Sequence, residues 1–156
     1  MLLKLRLQNL ATIKELEAEF DSGFSILTGE TGAGKSIMID ALLLVLGGRG
    51  DTGLVRTGED STVVEAVFDL SETEGIRNQL EEAGIPAEAE LILRCVIPRK
   101  GRQRRSVNGA AVTVEFLKNL GQQLVNIHGQ HENQALLQVV QVLRLRTLRV
   151  GLQELP

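Results

Sequence analysis

The sequence predicts an α/β domain built around a phosphate-binding loop, with a mixed sheet in which antiparallel hairpins and helices flank that loop. Three observations carry the prediction. Gly29, Glu30, Thr31, Gly32, Ala33, Gly34, Lys35 and Ser36 fit the pattern G-x-x-x-x-G-K-[ST] without substitution. The pattern sits between the short apolar run Phe24 to Leu27 and the helix-favouring run Ser36 to Leu46, as strand, loop and helix in order. Two amphipathic strands precede the loop, whereas doubly wound nucleotide-binding sheets place it after the first strand.

The first strand is read from Leu3, Leu5 and Leu7 alternating with Lys4, Arg6 and Gln8, a period of two with one buried face. Leu16, Ala18 and Phe20 alternate with Glu15, Glu17 and Glu19 in a second strand, closed by a turn at Asp21, Ser22 and Gly23. Gly47 and Gly48 end the helix after the loop, and Arg49 to Asp60 reads as a surface loop. Val64, Ala66, Phe68 and Leu70 form the inner face of a third strand. Ser71 and Glu74 match a capping box for a short helix with the apolar stripe Ile76, Leu80 and Ala83, ended by Gly84 and Pro86. Glu90 to Ile97 is a strand, Pro98 to Gly101 turns the chain, and Arg104 to Val107 pairs back. Asn108 and Gly109 are a strong turn signal. Thr113 can cap a helix bearing Phe116, Leu117 and Leu120, and Leu124 to Ile127 reads as a buried strand emptying into Gly129. The stretch from Val139 to Val150 shows neither heptads nor sustained alternation, so residues 138–156 form an atypical tail of unassigned structure after a lobe spanning 1–137.

The loop pattern has a physical logic. Glycines let backbone N–H groups curl around a phosphate without Cβ clashes. The helix start adds orphan amides and the positive end of a dipole. Lys35 can reach the β- and γ-phosphates, and the Ser36 hydroxyl can ligate Mg²⁺. Asp40, one helical turn after Ser36, could support that ion or face solvent; a structural role is favoured.

Composition narrows the alternatives. A chain of 156 residues holds one domain with a core, and 43% hydrophobic with 24% charged residues suits a soluble globular protein. The apolar run Ala41 to Leu46 is too short to span a bilayer, and the N-terminus reads as neither a signal nor a transit peptide. The single Cys95 reads as a buried structural thiol in a reducing cytoplasm, and with two histidines it cannot build a zinc site. A net charge of −3 gives no support for nucleic-acid binding. Locally, Arg94, Arg99, Lys100, Arg102, Arg104 and Arg105 cluster at a hairpin, and Arg144, Arg146 and Arg149 lie in an acid-free stretch. Either patch could meet phosphates, although a solvated surface is the simpler reading of such clusters. Aromatic content of 3%, without Trp or Tyr, leaves little material for base stacking.

A second constellation, Ile127, His128, Gly129, Gln130, His131 and Glu132, follows about ninety residues after Ser36. A glutamine at the mouth of a strand can place its amide oxygen near a metal ion or a hydrolytic water. The two histidines could sense phosphate, though loop histidines are more often structural.

With these residues in order, residues 1 to about 137 resemble the start of RecN-type DNA repair ATPases, in the SMC-like branch of the ABC ATPases. The resemblance rests on Leu5 to Leu10, Leu27 to Ser36, Asp40 and Ala41, Leu46 to Arg49, Val55 to Gly58, Glu65 to Asp69, Val107 to Gly109 and Val125 to Gln134. It implies the N-terminal lobe of an ABC/SMC-type head. Residues 29–36 would form the ATP loop, Lys35 would sit on the phosphates, and Ser36 and Gln130 would hold Mg²⁺. Gln130 would also sense the γ-phosphate and the water. It further implies a complementary C-terminal head lobe, a head–head homodimer sandwiching ATP, DNA ends as target, and a bacterial cytoplasmic or nucleoid location without membrane contact.

The pattern departs from the family in lacking a Leu-Ser-Gly-Gly-like signature and a strand ending in Asp-Glu. At Ala66 to Asp69 the next residue is Leu70, where a catalytic Glu would be needed. Hydrolysis needs a polarised water and a donor over the γ-phosphate, so this chain alone is expected to bind ATP without significant turnover. A transporter-type ABC ATPase fragment, a small-molecule phosphotransferase and a non-hydrolysing, nucleotide-dependent docking module are the competing readings.

Overall fold

The computed structural model describes residues 2–22, 33–71, 73–124 and 145–150, and at 21–22, 33–36 and 145–150 it describes the backbone. The strands are β1 (Leu2–Leu10), β2 (Ile13–Ser22), β3 (Ser61–Asp69), β4 (Glu90–Pro98), β5 (Arg104–Val107), β6 (Ala110–Ala111) and β7 (Leu145–Val150), of which β1 to β5 come from alternating sequence. They make one seven-stranded sheet in the order β6-β5-β4-β3-β1-β2-β7. Every pairing among the described residues is antiparallel. The strands expected at 24–27 and 125–127 lie outside the described residues, as do 128–137.

Helices α1 (Ala33–Val45), α2 (Glu74–Glu82) and α3 (Val114–Leu124) contribute to one apolar core with the inward residues of the sheet. Leu5, Leu7, Leu16, Ala18, Phe20, Val64, Ala66, Phe68, Leu91, Leu93, Cys95 and Ile97 are all buried, which is the period-two face of four neighbouring strands. α1 packs over β1, β3 and β4. The opposite face carries cross-strand ion pairs: Lys4 with Glu17 and Glu19, each at 3.2 Å, Arg6 with Glu15 at 2.9 Å, and Arg94 with Glu65 at 3.1 Å.

Several local expectations hold. Thr113 Oγ1 accepts the Phe116 N–H at 3.1 Å, opening α3 as a cap should. Asn108 and Gly109 both take positive φ, +46° and +82°, the signature of a two-residue hairpin turn. Gly84, at φ +70°, stops α2.

Others are corrected. Leu3 is not on the inner face; a register shift between Leu2 and Lys4 turns Leu2 inward instead. Ser71 does not cap α2: its N–H and hydroxyl both donate to Asp69, each at 2.9 Å, and α2 starts after Thr73 without a side-chain cap. Ala83 is exposed as the C-cap of α2, and Ile85 is buried in its place. Leu124 ends α3 rather than starting a strand. Asp21 and Ser22, expected in a turn, continue β2 because β7 pairs with them, with Asp21 opposite Arg146 and Ser22 opposite Leu145. Within the tail, Leu145–Val150 is therefore a strand.

Candidate functional site

The loop pattern bridges the end of β2 and the start of α1. Residues 29–32 lie outside the described residues, and Ala33, Gly34, Lys35 and Ser36 form the first turn of α1. That turn contains no acid. Its first amides have no intrahelical acceptor, and the helix dipole is positive there, so the end of α1 that carries Lys35 and Ser36 suits an anion. Gln130, His128 and His131 lie outside the described residues. Asp40 is exposed on α1.

What fixes this helix is legible at its other end. Ile37, Met38, Ala41, Leu42, Leu44 and Val45 are buried, so nearly every turn is anchored in the core. The C-terminal carbonyls are met by Arg105, reaching in from β5. Its guanidinium donates from Nη1 to the Leu44 carbonyl, and from Nη2 to the Gly48 carbonyl at 2.7 Å and to Gln103 Oε1 at 3.3 Å. Arg105 is only 8% exposed and is the one buried charged residue among those described. A cation at a helix C-terminus is favourable both as a donor to orphan carbonyls and against the negative dipole end. Arg105 is thus no part of a solvated cationic surface, contrary to the simpler reading of the cluster. The signal was available: the residue alternates in step with Val107, on the inner face of β5.

Close approach completes the anchorage. Gly47 has φ +101°, and a Cβ there would stand 2.9 Å from Lys118 Cγ on α3. A Cβ at Gly48 would stand 2.5 Å from the Leu43 carbonyl oxygen. The pair Gly47 and Gly48 therefore lets the chain leave α1 where no other residue fits, while α3 seats against the same corner.

The loop after α1 is pinned from two sides. A 3₁₀ turn at Thr52–Leu54 is capped by Asp51, whose carboxylate accepts the Gly53 N–H at 2.6 Å. Val55 is buried and bridges Leu10, and the Ala11 N–H donates to the Leu54 carbonyl at 2.7 Å. Asn9 and Ala11, at φ +54° and +51°, bend the β1–β2 hairpin to meet it. From the other side, Arg99 donates to the Glu59 and Arg56 carbonyls, both at 2.8 Å, and Gln103 Nε2 donates to the Gly50 carbonyl at 2.8 Å.

Asp69, the carboxylate at the end of the strand nearest in pattern to a catalytic one, is held by Ser71, whose N–H and hydroxyl draw its pKa below the ordinary carboxylate range. It serves a local turn. Among the described residues no group of three or more His, Cys, Asp or Glu could hold a metal ion. No described helix is long and apolar enough to cross a membrane.

The antiparallel sheet with α1 packed over β1, β3 and β4 has the fold of the N-terminal lobe of SMC-type heads, as solved structures show. A structure from work on ATP-driven dimerization and DNA-stimulated activation of SMC ATPases superposes with a TM-score of 0.61 at 21% identity, covering 89% of this chain and 98% of that one. The SMC head domain from Thermotoga maritima gives 0.58 at 22%, covering 76% of this chain and 41% of that one. The recombination mediator RecF gives 0.59 at 19%, covering 75% and 29%. These likenesses speak for the fold. The chain belongs to the AAA domain family, which matches residues 4–144. It is 46% identical over 137 residues to the DNA repair protein RecN of Vibrio cholerae, and 43% identical over 139 residues to RecN of Bacillus subtilis. These matches cover 88% of this chain but only 25% and 24% of the relatives, so the chain spans about a quarter of their length.

Proposed function

We propose that this chain is the ATP-binding half of a DNA double-strand-break repair ATPase that serves recombinational repair. One observation carries the reading: the similarity to RecN spans the loop pattern at residues 29–36, and that pattern opens directly into the N-terminus of a helix clamped at its far end. The similarity favours this reading over a transporter fragment.

The residues suit the group they would hold. Gly29, Glu30, Thr31, Gly32, Ala33, Gly34, Lys35 and Ser36 would cradle the phosphates, with Lys35 neutralising charge. Ser36 and Gln130 would offer the oxygen ligands that Mg²⁺ prefers. ATP with Mg²⁺ would supply a transferable phosphoryl group and a cation that neutralises the charge developing on its oxygens. The contribution of this chain is to position and neutralise, and Gln130 would report the γ-phosphate and the attacking water. A head lobe over residues 1–137 would be completed by a C-terminal lobe and by dimerisation of two heads, with DNA ends as the target. Residues 138–156 would be the atypical segment after that lobe, returning to its sheet through β7. The setting would be the bacterial cytoplasm or nucleoid.

Calorimetry of ATP with Mg²⁺ on the full chain and on Lys35→Ala tests the proposal, followed by ATPase assays with and without a C-terminal head lobe. Saturable binding lost in the variant, with turnover only after the second lobe is added, is the expected result. Robust turnover by the chain alone would refute the half-site.

A further inference from the structure

The hairpin that supplies the Arg105 clamp has a second face that the nucleotide reading does not use. Between Glu90 and Glu115 the sequence holds no acid but six cations, Arg94, Arg99, Lys100, Arg102, Arg104 and Arg105. The structure divides them by duty. Arg105 is buried against α1, Arg99 binds the carbonyls of the 49–60 loop, and Arg94 pairs with Glu65 on the outer sheet face. Lys100, Arg102 and Arg104 are exposed, and their side chains engage no hydrogen bond or ion pair among the described residues. Arg49 joins them from the facing loop, since its neighbour Gly50 is tied to Gln103 at 2.8 Å. The acids nearby are few. Asp51 is occupied by the Gly53 N–H, Glu59 faces Arg56 at 3.8 Å, and Asp60 lies beside the hairpin root, where its carbonyl accepts the Arg99 N–H.

From this arrangement we infer that the β4–β5 hairpin tip is a contact surface for the phosphate backbone of duplex DNA, made by Lys100, Arg102 and Arg104 with Arg49 at the flank. Three alternating cations on a hairpin whose backbone is held by Arg99, Gln103 and Arg105 are pre-organised, so binding a polyanion orders side chains and not the loop. No aromatic residue lies between Leu91 and Glu115, so the tip offers no base-stacking platform and suits a paired duplex over an unwound strand. The choice of DNA as the polyanion rests on the repair-ATPase reading; the surface itself rests on geometry. Its position also links it to the nucleotide helix, because Arg104 of the surface and Arg105 of the clamp are adjacent on one strand.

The test is fluorescence anisotropy of the full chain with a mixed-sequence duplex over a series of salt concentrations. The probe set is wild type, the triple variant Lys100→Ala/Arg102→Ala/Arg104→Ala, and the double variant Lys4→Ala/Arg6→Ala, whose cations are already paired with glutamates. Each phosphate contact contributes about 0.9 to the slope of log K against log salt, so the triple variant should lower the slope by about 2.7 and the double variant should leave it unchanged. Equal slopes for wild type and triple variant, or no duplex binding by wild type, would overturn the inference. So would tighter binding of polyglutamate than of duplex at matched salt, which would assign the tip to an acidic protein. ATP affinity measured on the same samples separates this outcome from failure of the ATP-binding proposal.

Discussion

Replacing Arg105 by Met retains the stem that packs in the core and removes the guanidinium. Two carbonyls at the end of α1 and the Gln103 amide oxygen then lose their donor. The Leu44 carbonyl keeps a second partner, the Gly47 N–H at 3.2 Å, so the larger loss falls on Gly48. A hydrogen bond to a charged group contributes about 1.5–3 kcal/mol, and an orphaned buried acceptor costs about 1–3 kcal/mol. With one carbonyl still partnered, and with relief from desolvating the cation, the expected net destabilisation is about 2–4 kcal/mol. Arg105 is nearly fully buried, so solvent screening does little to reduce this. Urea titration followed by far-UV circular dichroism should show a lower midpoint at unchanged slope. Arg105→Lys should recover less than half, since a single ammonium lacks the planar fork that spans two carbonyls. A loss below about 0.5 kcal/mol for Arg105→Met would refute the view that this side chain holds the end of α1.

Gly47→Ala meets both a left-handed backbone and Lys118, and should destabilise by about 1–3 kcal/mol by the same titration, as no rotamer of the new methyl relieves φ +101°. Asn108 accepts the Ile92 N–H at 2.8 Å and donates to the Pro86 carbonyl at 2.6 Å, so Asn108→Gly, which keeps only the turn, should lose about 1–2 kcal/mol in thermal melts. Burial pushes the Cys95 thiol above its ordinary range, so both states are protonated below the unfolded thiol's pKa. As pH rises past about 8.5 the unfolded chain loses that proton first. Unfolding free energy should therefore fall in this alkaline window for wild type, and a Cys95→Ala variant should lack that component of the decline. Lys35→Ala should abolish ATP binding in calorimetry while leaving the melting temperature of the apo chain within a few degrees.

Much of the fold was legible because strands declare themselves by alternation. The inner residues of β2, β3 and β4 are the ones a period of two picks out, and the turns at Asn108 and Gly84 follow from backbone chemistry alone. Failures occur where two local rules compete. Ser71 satisfies a capping-box pattern, yet its N–H and hydroxyl are both turned back to the Asp69 carboxylate two residues earlier. Leu3 fits the alternation until a register shift in the pairing with β3 displaces it. The run from Val139 to Val150 has no inward–outward rhythm to read; Leu145–Val150 becomes a strand through its neighbour β2, which is information held elsewhere in the chain. The candidate site was legible as a motif, because the glycine spacing is a local requirement. Its support was not: the contact of Arg105 with Leu44 joins residues 61 positions apart, and only the sheet order brings them together.

The glutamates of β2 have a consequence for assembly of the sheet. Glu15, Glu17 and Glu19 make one side of this strand an acidic comb, and its neighbour β1 is basic in matching register. Lys4 stands opposite Glu19 and pairs with Glu17 and Glu19, while Arg6 stands opposite Glu17 and pairs with Glu15. Like charges directly opposite are unfavourable, so a second copy of β2 is repelled from the place of β1, whereas a strand with correctly spaced cations is admitted. The pairing of β1 with β2 is thereby written as a charge code. A segment competing for the place of β1 would be sorted by its cation spacing before its apolar residues are compared.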